Sequence, residues 1–193
     1  MINIFFYINE LTEIQKFNLH KLKKISIIYR NYEKKTYIKN AFRIATICKK
    51  LKFKFYVSND YKLATQIGAN GIYISSFNNM MIKPCKKIEI IGSAHNAQEI
   101  QIKIAQGCNK IFLSPLFPTK HYKKYEILEM HKFNSLRRLF LNKTKIYALG
   151  GINEINLKKL ILHNIEGMGS ISILEKKIDN KFLNTLNLIA QKP

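Results

Sequence analysis

Polar side chains able to do chemistry gather in residues 90–119, each just after an apolar run of strand length. Ser93 and His95 follow the run 88–91, and Ser114 and Thr119 follow the run 111–113. Hydroxyls can donate to or accept from a ligand, and an imidazole changes its charge near neutral pH. Farther on, Gly150-Gly151 ends another apolar run. A backbone without Cβ can approach an oxyanion closely, or it can simply make a tight turn. Between the first two runs, Asn96 stands where a helix N-cap belongs. Ile100, Ile104 and Ala105 follow at helical spacing, and Gly107 closes the helix. Strand, helix and strand make a right-handed βαβ unit, and sheets of such units carry their chemistry at the strand ends.

The wider composition bounds the reading. At 193 residues the chain is long enough to bury one substantial core. Its longest apolar runs are strand-sized, which excludes a membrane-spanning helix from the expectation. Residues 1–10 show neither a basic flank nor a small-residue cleavage site, so no signal peptide is read and a cytoplasmic setting is expected. Cys48, Cys85 and Cys108 are odd in number and widely spaced, which argues against a disulfide framework or a metal cluster. With 33 Lys+Arg against 12 Asp+Glu the formal charge is +21, a value that suggests nucleic acid as a partner. The lysines are spread over nearly every helix instead of forming one stripe. A general pull on anionic small molecules is the better reading, and specific nucleic-acid binding is not expected.

Apolar runs and helical periods alternate along the whole chain. Strands are expected at 2–8, 25–29, 53–57, 71–74, 88–91, 111–113, 145–149 and 167–171. Helices are expected at 12–23, 36–51, 61–67, 126–141, 153–163 and 177–190, besides the one capped by Asn96. On the second helix Ile38, Ala41, Phe42, Ala45 and Cys48 form the expected inner face. Residues 75–87, which hold Pro84, read as a loop with at most a short helical turn. Eight strands with crossovers describe a compact (β/α)8 TIM barrel, residues 1–193 forming one domain. A doubly wound open sheet is the alternative, but no GxGxxG follows the first strand.

Five segments then carry a family resemblance. VSNDYKLATQIGANGIYIS, GSAHN, FLSPLFPTK, ALGGIN and GMGSIS stand in an order and spacing that resembles the thiamine phosphate synthase and thiazole tautomerase superfamily. The resemblance implies a barrel that joins a pyrimidine-methyl pyrophosphate to a thiazole phosphate and releases pyrophosphate with Mg²⁺. It implies Asp60 as a magnesium carboxylate, with Asn78 at the position of a second. Arg30, Asn59 and Ser93 align with ligands of the pyrimidine pyrophosphate; the arginine suits a forked phosphate contact. Thr119, Gly151, Ile171 and Ser172 align with the thiazole phosphate pocket. Each also has a plain structural reading: Asn59-Asp60 is equally a helix N-cap pair, and Ser172 equally a strand-end hydroxyl.

Departures from the pattern fall on one half of the site. Where the family has Gln-x-Arg-x-Lys on strand two, this chain has Ile28-Tyr29-Arg30-Asn31-Tyr32, which removes an amide for the pyrimidine and a lysine for the pyrophosphate. Asn78 is neutral, a poorer ligand for a hard cation. Thr-x-Thr-Lys becomes Thr119-Lys120-His121-Tyr122, leaving Lys120, Lys123 and Lys124 to supply charge and His121 within reach of ligand from the loop. Pro115 stands where the tautomerase branch can carry a histidine, and His95 reads as a hydrogen-bonded structural residue. Two functions follow: a transferase of the thiamine phosphate synthase type, or a thiazole phosphate isomerase or phosphorylated-heterocycle-binding barrel with a degenerate pyrophosphate site. Phosphorylated pyrimidine and thiazole molecules are the expected partners, with no membrane; Mg²⁺ is the expected cofactor, weakly held without pyrophosphate. A homo-oligomer is compatible with these expectations. If the charge is diffuse as read, duplex DNA binds weakly, without sequence preference, and is released steeply by added salt. A salt-resistant, sequence-selective complex in a mobility-shift titration would overturn that reading.

Overall fold

A computed structural model of the chain describes residues 1–31, 35–81, 88–119 and 127–191. Eight parallel strands, β1 (Asn3–Ile8), β2 (Ile25–Tyr29), β3 (Lys54–Ser58), β4 (Gly71–Ile74), β5 (Glu89–Ala94), β6 (Lys110–Leu113), β7 (Lys145–Leu149) and β8 (Gly167–Ser170), close into a barrel. Neighbours in sequence are neighbours in the sheet, and β1 pairs with β8 to shut the ring. Seven helices accompany them among the described residues: α1 (Glu13–Leu19), α2 (Tyr37–Leu51), α3 (Tyr61–Gln66), α4 (Ala97–Ala105), α5 (Glu129–Leu139), α6 (Glu154–Leu162) and α7 (Asn180–Gln191). None is long and apolar enough to cross a membrane. The open-sheet alternative is excluded.

Alternation along each strand divides the core in two. Phe5, Tyr7, Ile28, Tyr56, Tyr73 and Phe112 point into the barrel, while Ile4, Phe6 and Ile8 point out toward the helices. Rings fill the interior edge to face: Phe5 and Phe112 lie 5.1 Å apart at 76°, Tyr7 and Tyr73 5.3 Å apart at 83°. Glycines opposite make the room, since a Cβ on Gly167 would lie 2.4 Å from the Tyr147 ring and one on Gly71 2.6 Å from that of Tyr56. At the N-terminal end of the barrel Glu89 accepts from Lys110 and from the Tyr56 hydroxyl. Burial pushes the Glu89 carboxyl up, but these donors outweigh it and the group titrates below the usual range.

Several expected boundaries move for identifiable reasons. β5 does not stop at Ile91: Gly92, Ser93 and Ala94 are small enough to continue the ladder, pairing with Ile111, Phe112 and Leu113. β8 ends at Ser170, and Ile171 leads into a short 3₁₀ helix, Ser172–Glu175. α1 ends at Leu19 and α7 begins only at Asn180. The inner face of α2 is Ala41, Ile44 and Cys48, whereas Ile38 and Phe42 face solvent. α4 is capped by Asn96 as expected, its side chain accepting from the Glu99 amide, yet Lys103 is buried where Ala105 was expected to be.

Two buried thiols make stability depend on alkali. Burial pushes Cys48 and Cys108 up to about 12, so the folded chain keeps them neutral while an unfolded chain ionises them from about pH 8.5. Stability should therefore fall as pH rises between those values, by roughly 1.4 kcal/mol per pH unit for each thiol. Buried Tyr56 and Tyr147, both raised by burial, add to the loss at higher pH. Lys103 opposes part of it, because burial disfavours its ammonium and unfolding takes up a proton. Urea unfolding at pH 8 and pH 10 checks the balance; equal stability at both would contradict it. At pH 8 a thiol reagent should leave Cys48 and Cys108 unlabelled until urea is added.

Candidate active site

All eight strands deliver their C-terminal ends to one mouth, so the residues that follow them face a common space. After β3 the chain turns sharply at Asn59, whose φ of +57° asparagine tolerates better than most residues. The Asn59 amide group is heavily used. Its Oδ1 accepts from the Ser75 main-chain N–H at 3.0 Å and from Asn78 Nδ2 at 3.0 Å, and its Nδ2 donates to Ser75 Oγ at 2.7 Å. Asp60 is the N-cap of α3, its Oδ1 accepting from the Leu63 N–H at 2.9 Å. Oδ2 takes no part in that cap. Behind this turn Tyr37 donates to the Ser58 carbonyl, and burial together with the Asp60 charge holds its hydroxyl protonated beyond the usual range. Asn78 does not face the mouth as a bare ligand: its Oδ1 already accepts from the Met80 N–H at 2.9 Å.

Arg30 follows β2, and the register of Ile28 with Tyr56 places it beside Ser58. Its guanidinium carbon lies 5.5 Å from the Tyr7 ring centroid, a cation–π distance. Its buried Nε has no hydrogen-bond partner among the described residues. Ser93 lies within β5, 5 % exposed, its hydroxyl accepting from Tyr73 OH at 2.8 Å. It is part of the barrel wall and not of a turn. His95 is held as expected, its Nδ1 donating to the Ser114 carbonyl at 2.7 Å.

The far side of the mouth is built by two loops sewn together. After β6, with a cis Ser114-Pro115 bond, the Leu116 and Phe117 amides donate to the carbonyls of Leu149 and Gly150 at 2.9 and 3.1 Å. Gly151 follows with φ +68°, and a Cβ there would lie 2.6 Å from both the Phe117 and Pro118 carbonyl oxygens. This corrects the reason for the glycine: the space beside it belongs to the neighbouring loop, not to a phosphate oxygen. Thr119 ends the described part of that loop; His121, Lys120, Lys123 and Lys124 lie outside the described residues. Ile171 and Ser172 open the 3₁₀ helix after β8, both exposed. Ile171 lines a cleft of about 300 Å³ with Tyr7, Asn9, Glu10, Gln15 and Glu175. Thus Tyr7, which touches both Arg30 and this cleft, joins the two halves of the mouth. Sequence reasoning missed Ser75 and Tyr7. Ser75, at the strand-end position after Ile74, carried the only signal that could have found it.

The comparisons agree with this architecture. A family profile described as thiamine monophosphate synthase matches residues 13–174. The chain belongs to that family. It is 31 % identical over 178 residues to a thiamine-phosphate synthase of Prochlorococcus marinus subsp. pastoris, covering 90 % of this chain and 50 % of that protein. A second Prochlorococcus marinus relative of the same description is 32 % identical, with 64 % of this chain and 36 % of that protein covered. The chain therefore spans half or less of those two relatives. Against a thiamine-phosphate synthase of Clostridium perfringens the identity is 28 %, with 95 % of this chain and 91 % of that protein covered. Among solved structures, thiamine phosphate pyrophosphorylase from Pyrococcus furiosus superposes with a TM-score of 0.76 at 14 % identity, covering 98 % and 96 % of the two chains. That likeness concerns the family's fold.

Gly151 and Gly68 share a left-handed conformation, but nothing lies within 4 Å of a Cβ on Gly68. Gly68→Ala should cost the conformational penalty alone, ~1–2 kcal/mol. Gly151→Ala should cost clearly more, because backbone carbonyls must also move. Equal urea midpoints for the two variants would show that the loops at the mouth are not sewn as described.

Proposed function

We propose that the chain couples a pyrimidine-methyl diphosphate to a thiazole phosphate, forming thiamine phosphate and free diphosphate. The observation that carries this reading is the Asn59-Asp60 turn at the C-terminal end of β3 in a barrel of this family, where the helix cap uses only Oδ1 of the carboxylate. In the reaction the pyrimidine methylene–oxygen bond breaks and its electron pair leaves with the diphosphate. The thiazole nitrogen lone pair forms the new nitrogen–carbon bond, giving a thiazolium cation. No proton has to move, so the protein's work is binding, orientation and stabilisation of charge on the departing oxygens. On this reading Arg30 binds the diphosphate; its Nε, buried without a partner among the described residues, supports a role beyond the fold. On the same reading Ser93, Thr119, Gly151, Ile171 and Ser172, which the family resemblance assigns to the substrates, contribute to their binding.

The donor set fits Mg²⁺ only as a cation shared with the diphosphate. Among the described residues no group of three His, Cys, Asp or Glu side chains could hold a metal without help. Asp60 Oδ2 supports such a cation, and Asn78 Oδ1 has only its second lone pair to give. When bound, the metal neutralises charge on the leaving group. A second reading, a thiazole phosphate isomerase or a binding barrel, draws on Ile28, buried in the barrel, and on the Asn78 amide already committed to Asn59 and Met80.

Purified protein incubated with both phosphorylated halves and Mg²⁺ should yield thiamine phosphate. Asp60→Asn should lower turnover by about 10²-fold or more while leaving the fold intact, because asparagine caps a helix as well as aspartate does. Full turnover in Asp60→Asn would remove this turn from the mechanism. Binding of thiazole phosphate without product would favour the second reading.

A further inference from the structure

Among the described residues Lys103 is the one charged side chain with no exposed surface. It stands on the barrel-facing side of α4, and its stem packs where β5 has Gly92: a Cβ on Gly92 would lie 3.2 Å from Lys103 Cδ and 2.9 Å from Cys108 Sγ. No described carboxylate forms an ion pair with it. Its Nζ donates instead to the main-chain oxygen of Asn78 at 2.7 Å and to Gln106 Oε1 at 2.9 Å. Gln106 is buried as well, and its Nε2 donates to the carbonyls of Asn78 and Met80, each at 2.9 Å. Two side chains one helical turn apart thus grip the backbone of the loop after β4.

Burying an unpaired ammonium is costly, and a methionine or leucine would pack this position without that cost. What the charge gains is a strong hold on one carbonyl, since charge-assisted hydrogen bonds are the stronger kind. The held residue is Asn78, whose Nδ2 reaches Asn59 Oδ1, and Asn59 is followed directly by Asp60. A continuous hydrogen-bonded path therefore runs from the back of α4 to the turn at the mouth. We propose that Lys103, with Gln106, is a positioning residue: it fixes residues 78–80, and through them the Asn59-Asp60 turn, for the diphosphate of the pyrimidine substrate. This rests on the transferase reading above and adds to it a residue that touches no substrate.

Lys103→Met keeps the stem and removes the charge, and Gln106→Met removes the second grip. In both, amide exchange at Met80 and Ser75, whose N–H groups are held by Asn78 and Asn59, should quicken by about tenfold, with the barrel strands unchanged. Magnesium diphosphate, followed by calorimetry, should bind about tenfold more weakly, and KM for the pyrimidine substrate should rise in step. Affinity for thiazole phosphate should stay within about twofold, a separation that general loosening of the fold would not produce. Should Lys103→Met fail to fold, Gln106→Met carries the same readouts. Unchanged exchange, or unchanged diphosphate affinity in a folded variant, overturns the proposal. A wild-type chain that makes no thiamine phosphate, yet loses diphosphate affinity on Lys103→Met, sinks the transferase reading and leaves this one standing. Wild-type protein that binds no diphosphate overturns both.

Discussion

Pairing of β1 with β8 is the constraint on which the molecule depends. Asn3 to Phe6 lie opposite Gly167 to Ser170, and this contact turns an open ladder into a ring with no free edge. Once the ring is shut, eight parallel strands must all end on the same side, and distant segments become neighbours. Tyr7 from the first strand then lines a cleft with Ile171 from beyond the last, a contact no local rule could supply. Closure also fixes the interior volume, and large rings set against glycine fill it. One of those rings, Tyr7, also lines the cleft at Ile171.

At the mouth most polar groups are spent on holding loops, and few remain for a ligand. Asn59 uses both atoms of its amide on the loop after β4. Asp60 gives one oxygen to α3 and Asn78 gives one to Met80. The backbone between β6 and β7 is joined by direct amide–carbonyl bonds. Such a mouth is pre-organised, which lowers the entropy lost on binding. Its balance also explains why neutral Asn78 is tolerated: it serves as a strut, and a strut needs an amide with both a donor and an acceptor.

Charge acts at two ranges. The net +21 creates a field that draws anions toward the protein from outside. Local chemistry depends on far fewer groups: Arg30 beside Tyr7, Asp60 at its turn, and Lys103 behind the wall. Glu10 and Glu175, two of only twelve acidic residues, line the cleft at Ile171. Among the described residues, two carboxylates thus sit together at that cleft although the chain as a whole is strongly basic.

Much of this was legible in the chain alone. Apolar runs of strand length alternating with helical periods specify a parallel β/α protein, because backbone hydrogen bonding and burial admit few other arrangements. Helix N-caps such as Asp60 and Asn96 are local, so they are readable one residue at a time. The motif segments placed Thr119 and Gly151 beyond strand ends, and the ring brought those ends to one mouth, while Ser93 proved to lie inside β5. What could not be read is whatever depends on two segments far apart. That Gly151 is glycine for the sake of the Phe117 and Pro118 carbonyls is a contact between loops. That Lys103 is buried contradicts every single-residue preference; it is tolerated because the barrel brings the Asn78 carbonyl to its ammonium. Propensity and capping are properties of neighbours along the chain, whereas the partners of a buried polar group exist only after the strands have closed.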